Sequence, residues 1–187
     1  MTRNPLHPAI NAAQVSDYSA LDAALGSHRR RRVPQPIFMP SGTSRALPPA
    51  VPIDYVGRFN QGIPMVELSI KDRSPTELAK MMVRGFDQVF PPDTSPITFR
   101  IQWPGYDHLE YVRRLHIVTT GPVNYNRAEV AQAIASVFAE FCDTHKNTRG
   151  TDPNYQVGDI QFQKLVLVGI RNVYENVWQA DVAIDMN

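Results

Sequence analysis

Residues 160–186 read IQFQKLVLVGIRNVYENVWQADVAIDM. The part from Leu165 to Val173 is a nearly continuous apolar run, suited to a central strand with neighbours on both edges. A turn around Glu175-Asn176 follows. Trp178, Ala180, Val182, Ile184 and Met186 then alternate with polar residues, which predicts a second strand with those five facing inward. The chain therefore ends in a long hairpin that needs a sheet around it.

Upstream of the hairpin, NRAEVAQAIASVFAEFCDTHK reads as a helix. Asn126 is its N-cap, Glu129 stands three residues on, and Val130, Ile134, Val137, Phe138 and Phe141 line one face. ITFRIQW alternates, with Ile97, Phe99, Ile101 and Trp103 inward, and Pro104-Gly105 suits the central positions of a type II turn. YVRRLHIVTT returns as a strand. SPTELAKMMVRGFDQVFPP reads as another helix, capped by Ser74 and Glu77 with Pro75 at its first position. Its apolar stripe is Leu78, Met81, Met82, Phe86 and Val89, Gly85 beside it allows close approach of a neighbour, and Pro91-Pro92 stop it. MVELSI alternates and predicts a strand, with Val66, Leu68 and Ile70 on one face.

The resulting order is β-α-β-β-α-β-β. Its first six elements match the split β-α-β, ferredoxin-like order, with one further C-terminal hairpin strand. We expect an α+β domain over residues 53–187, with two helices on one face of an antiparallel sheet. Residues 1–52 read as an extended Pro-rich N-terminal arm. A short helix at 16–25 is expected within it, and VPQPIFMPSGTSRALPPAVP holds six prolines in twenty residues, which favours polyproline-like backbone. Ile37, Phe38 and Met39 sit in that stretch and are expected to clip onto the body or a partner.

Charge is divided the same way. The whole chain is near neutral at +1, yet residues 1–52 carry +4 and the remainder −3. Most of the excess lies in Arg29, Arg30, Arg31 and Arg32. Four guanidiniums on phosphate give a salt slope of about −3.6, roughly a hundredfold loss of affinity between about 50 and 200 mM salt. The run has two readings: a nucleic-acid or anion contact, or a solvated linker, docking arm or short nuclear-import-like basic patch. YVRRLHIVTT lacks the glycine and alternating aromatics of an RNA-recognition strand.

Other chemistries have little support. A single cysteine, Cys142, excludes an intramolecular disulfide and a cysteine-based zinc site. Asp107, His108, Glu110 and His116 cluster around one hairpin without the tight spacing of a metal site. Cys142 and His145 share a helix end, where the dipole opposes a thiolate. PSGTS at 40–44 lacks the setting of a nucleophile elbow, and TTGPVNYNRAEV has one glycine and a proline where a phosphate cradle needs clustered glycines. No catalytic residue, metal or cofactor is expected, and no small-molecule substrate is identifiable. No segment has the roughly 20 apolar residues of a membrane span and no signal-peptide pattern appears, so we expect an intracellular protein without a membrane partner.

IQWPGYDHLEYVR and LVLVGIRNVYENVWQADVAIDM resemble a multi-copy family of predicted proteins from mushroom-forming fungi. The resemblance covers about residues 95–187. It implies a fungal, intracellular protein and brings no catalytic residue, cofactor or substrate.

Self-association remains. Aromatic residues at strand ends suit an interface, and Phe38, Trp103, Tyr106 and Trp178 are the candidates, each of the tryptophans having core packing as its alternative. The expected function is that of a non-catalytic protein that assembles with itself through its sheet and Pro-rich arm. Nucleic-acid binding through Arg29 to Arg32 is the alternative.

Overall fold

The computed structural model describes residues 30–41, 46–70, 73–90, 96–115 and 125–186. The expected helix at 16–25, Arg29, His116, the Pro91-Pro92 stop, and parts of the PSGTS and TTGPVNYNRAEV stretches lie outside them. The architecture is α+β, with one seven-stranded sheet. Its strands are β1 (Arg30–Arg32), β2 (Val51–Pro52), β3 (Ile63–Pro64), β4 (Ile97–Ile101), β5 (Tyr111–Leu115), β6 (Leu165–Tyr174) and β7 (Val177–Asp185). The helices are α1 (Met65–Leu68), α2 (Pro75–Met81) and α3 (Arg127–His145).

The hairpin takes the centre. β6 pairs antiparallel with β7 from Leu165–Ile184 to Tyr174–Val177, and the lateral order is β2-β6-β7-β4-β5. Because β6 occupies one edge of β7 along its length, β4 and β1 must share the other. β4 takes the start of β7 in a parallel pair at Thr98–Val177 and Phe99–Trp178, and β1 takes its end, antiparallel. In the same way β2 and β3 share the outer edge of β6. From β3 onward the elements run β-α-α-β-β-α-β-β, but the strand expected at MVELSI is α1, and the two-residue β3 just before it was not expected. The lateral order departs from a ferredoxin-like sheet, and the parallel β4–β7 pair departs from an antiparallel one. The cause is the apolar β6, whose residues from Leu165 to Arg171 are all buried, so that it needs partners on both edges.

The first expected strand is a helix. Met65 and Leu68 are buried while Val66 and Ile70 are exposed, a spacing of three in place of two. Tyr55 donates its hydroxyl to Glu67 of α1 at 2.8 Å. Burial and that bond raise the Tyr55 phenol to about 12. α2 begins as expected: Ser74 Oγ accepts from the Glu77 amide at 3.2 Å, and Glu77 Oε2 accepts from the Ser74 amide at 3.3 Å. It ends early, because Met82 turns extended and pairs with Tyr55. The Val56 amide donates to Met81 O and the Val83 amide to Asp54 O, both at 2.9 Å. A Cβ on Gly85 would stand 2.2 Å from the Ala79 carbonyl oxygen of α2 itself, and the neighbouring element at this glycine is α3, whose Ala128 amide donates to Gly85 O at 3.3 Å. Met81 and Phe86, expected in the buried stripe, are exposed.

α3 follows its expected pattern, with a capping box between Asn126 and Glu129 and all five stripe residues buried. It covers β4 and β5 through aromatic edges. Phe99 meets Phe138 at 6.2 Å, Trp103 meets Phe141 at 5.8 Å and Tyr111 meets Phe141 at 5.0 Å between centroids. On β7, Trp178, Ala180, Val182 and Ile184 point inward as expected, whereas Met186 is exposed.

The Pro104-Gly105 turn forms, with the Tyr106 amide donating to Trp103 O at 3.0 Å and Gly105 at φ 77°. It delivers Tyr106 into a clamp. Its buried hydroxyl donates to Thr148 O at 2.7 Å and accepts from the Val157 amide at 3.1 Å. One oxygen thus joins both ends of the 148–157 loop. Tyr106→Phe strands both backbone groups, and the expected loss of about 1–3 kcal/mol is read as a lower urea midpoint with an unchanged slope.

Candidate functional site

Alternation along β7 turns Gln179, Asp181, Ala183 and Asp185 away from the α3 core. A face carrying two carboxylates beside buried Val166, Val168 and Ala183 needs cations. The arginine run supplies them. β1 lies on β7 with Arg30 opposite Asp185, Arg31 opposite Ile184 and Arg32 opposite Ala183. Expected as part of an extended arm, these residues are a sheet strand.

Strand alternation separates the three side chains. Arg32 Nη2 lies 2.8 Å from Asp181 Oδ1, with 5% and 19% of the two side chains exposed. Asp181 Oδ2 faces Arg171 Nη2 of β6 at 3.9 Å. Arg30 Nε stands 3.7 Å from Asp185 Oδ2 and its Nη1 donates to Gln61 O. Arg31 donates to Asn154 O at 3.0 Å, with its guanidinium 4.8 Å from the Tyr155 ring centroid.

The arm then continues along β7. The Val33 amide donates to Val182 O at 2.8 Å and the Gln35 side chain to Ala180 O at 2.8 Å. Gln179 donates its amide nitrogen to Pro36 O at 3.0 Å, while its oxygen accepts from the Phe38 amide at 2.7 Å. Phe38 ends the run under the Arg100 guanidinium, 3.9 Å from its ring centroid. Arg100 is also held by Glu110 at 2.6 Å. Phe38 thus clips the arm to β4, as the apolar trio led us to expect of the body or a partner.

The other candidates fall elsewhere. Trp103, Tyr106 and Trp178 are 3%, 2% and 8% exposed; all three are core side chains, so they form no free surface. Trp103 donates its indole N–H to Tyr155 O at 2.8 Å, and Trp178 meets Phe90 edge-on at 4.8 Å. His108 stacks on Tyr106. Among the described residues, no three His, Cys, Asp or Glu side chains gather in a metal-holding group. No helix among them is long and apolar enough to cross a membrane.

Beside the arginine strand lies a cleft of about 260 Å³, lined by Pro49, Ala50, Pro52, Asp54, Asn60, Val168, Gly169, Arg171 and Asp181. Asp54 is structural there. Its carboxylate accepts from the amides of Asn60, Gln61 and Gly62 at 3.0, 3.0 and 2.8 Å, which closes the 54–62 loop. The residues that sequence reasoning missed are Gln35, Arg100, Arg171, Gln179, Asp181 and Asp185. The alternation of VWQADVAID already set Gln179, Asp181 and Asp185 on the outer face; only their partner was hidden.

Comparison of the chain with protein-family models, with curated proteins and with solved structures finds no match.

Two outcomes test this geometry. Asp181→Asn removes the carboxylate charge that faces both Arg32 and Arg171, and a loss of about 3–5 kcal/mol is expected by urea unfolding. Cys142 gives a pH signature. Burial raises its thiol from 9.0 to about 12, and burial with Arg113 nearby lowers the His145 pKa, which disfavours the imidazolium that would stabilise a thiolate. The raised thiol contributes stability that is complete below pH 9 and lost as pH rises towards about 12. Cys142→Ser removes that alkaline slope, and in the native protein Cys142 is expected to resist a thiol reagent at pH 8 until denaturant is added.

Proposed function

We propose that the chain is a non-catalytic module that assembles with copies of itself through its sheet, with β1 and the Pro-rich arm as the strap between copies. The observation that carries this reading is the self-contained docking of residues 30–38 on the edge of β7. That slot is made of the β7 backbone, Gln179, Asp181 and Asp185, with Arg100 of β4 at its end. A strand that fits such an edge fits the same edge of a second copy equally well, which makes exchange a low-cost route to an oligomer. Pro40, Pro48 and Pro49 lie between Phe38 and β2, and proline-stiffened backbone suits a connector that reaches outward.

The pairing of Arg30, Arg31 and Arg32 within the sheet supports this reading over phosphate gripping. Each guanidinium already faces a carboxylate, a carbonyl or a ring, and a polyanion has to displace those partners first. The protonated Cys142 thiol and the saturated Asp54 carboxylate fit a non-catalytic role.

Light scattering at low and high salt tests the assembly, which is expected to keep a mass that is a multiple of 21.0 kDa with a protein-like absorbance ratio. The exchange is tested by Arg30→Cys with Asp185→Cys in a Cys142→Ser background. These positions are cross-strand partners, so oxidation is expected to give covalent dimers on a non-reducing gel. Covalently closed monomers, together with a monomeric mass in solution, overturn the proposal.

A further inference from the structure

Residues 54–56 and 81–83 form a small ladder away from the arginine strand, joined through Val56–Met81, Asp54–Val83 and the Tyr55–Met82 bridge. Each side of the ladder leads into a tight turn. The Arg58 amide donates to Tyr55 O at 3.0 Å, and the Gly85 amide donates to Met82 O at 3.2 Å. The two turns read Val56-Gly57-Arg58-Phe59 and Val83-Arg84-Gly85-Phe86, each ending on phenylalanine after a glycine–arginine pair in one order or the other. Left-handed backbone shapes both: Gly57 at φ 80° and Asn60 at φ 59° around the first, Arg84 at φ 54° in the second. Arg84 has a Cβ, so its conformation is held against a local preference.

The turns bury the ladder and expose the tips. Tyr55 and Met82 belong to the core, whereas Phe59 and Phe86 are 63% and 57% exposed, with Val56 and Met81 also exposed beside them. Arg58 and Lys80 flank the same apolar residues, and among the described residues no carboxylate pairs with either. Arg84 is held by Asp87 at 2.5 Å.

We infer that these two turns are a docking surface for an anionic lipid bilayer, with Phe59 and Phe86 entering the headgroup boundary and Arg58 and Lys80 meeting lipid phosphate or carboxylate. Exposed phenylalanines gain by burying apolar surface at that boundary, and nearby cations are drawn to an anionic leaflet. A second copy suits the surface less well, since a two-fold contact brings two patches carrying the same Arg58 and Lys80 charges together. A bilayer accepts protruding apolar tips without the shape complementarity that a protein partner needs. Contact of this kind is peripheral and needs no spanning helix.

The test is flotation of the full chain with vesicles of phosphatidylcholine alone and with phosphatidylserine added at roughly a quarter of the lipid. Retention is expected only on the anionic vesicles and is expected to fall with added salt. Phe59→Ser with Phe86→Ser is expected to lower retention at least about tenfold with solution mass and thermal midpoint unchanged, because both side chains are exposed. Arg58→Glu with Lys80→Glu is expected to abolish the preference for anionic vesicles. Absence of retention by the wild-type chain, or retention untouched by the phenylalanine substitutions, overturns the inference. Capture on immobilised poly-glutamate without vesicle binding overturns it in favour of an acidic protein partner.

Discussion

A long strand buried on both faces has to be flanked on both edges, and β6 imposes that condition on everything else. Its hairpin partner β7 fills one edge; β2 and β3 fill the other. β7 in turn has a free edge longer than β4 covers, since β4 reaches only Val177 and Trp178. The remaining edge at Ala183–Asp185 is where β1 lies. An exposed apolar edge invites pairing with any strand at hand, and here the chain supplies one of its own.

The choice of strand follows from charge. The inner face of β7 is committed to Trp178, Ala180, Val182 and Ile184, so its polar residues all fall on the outer face. Asp181 and Asp185 there would be costly if covered without cations. An arginine strand brings the required charge at the required spacing, because Arg30 and Arg32 are two residues apart and share a face. Arg31, on the other face, finds the Tyr155 ring and a loop carbonyl. The run is therefore part of the sheet's electrostatic balance, whatever else it does, and this is why its docking slot is the centre of the assembly proposal.

How much of this was legible depended on the range of the signal. The capping boxes at Ser74–Glu77 and Asn126–Glu129, the stripe of α3, the alternation of β4 and β7 and the Pro104-Gly105 turn are all local, and all appear in the structure. MVELSI failed because six residues of alternation also hold the four of a single helical turn, and burial of Met65 and Leu68 with the Tyr55–Glu67 bond chose the helix. α2 stops at Met81 because Met82 and Val83 pair with residues almost thirty positions earlier, a contact no local pattern records. The aromatic candidates Trp103, Tyr106 and Trp178 went to the core because each had an apolar neighbour or a backbone partner waiting inside.

The chain's own residues determined the α+β class, the two capped helices, the two-sided burial of β6 and the sign of charge on each segment, since periodicity, caps and composition act over a few residues. Tertiary structure alone decided which edges meet: the parallel β4–β7 pair, the strand made of arginines, and the two exposed phenylalanine turns. Those depend on backbone hydrogen bonds and ion pairs between residues as far apart as Arg32 and Asp181. Such partners are matched only when the long β6–β7 hairpin has taken the centre and left particular edges open.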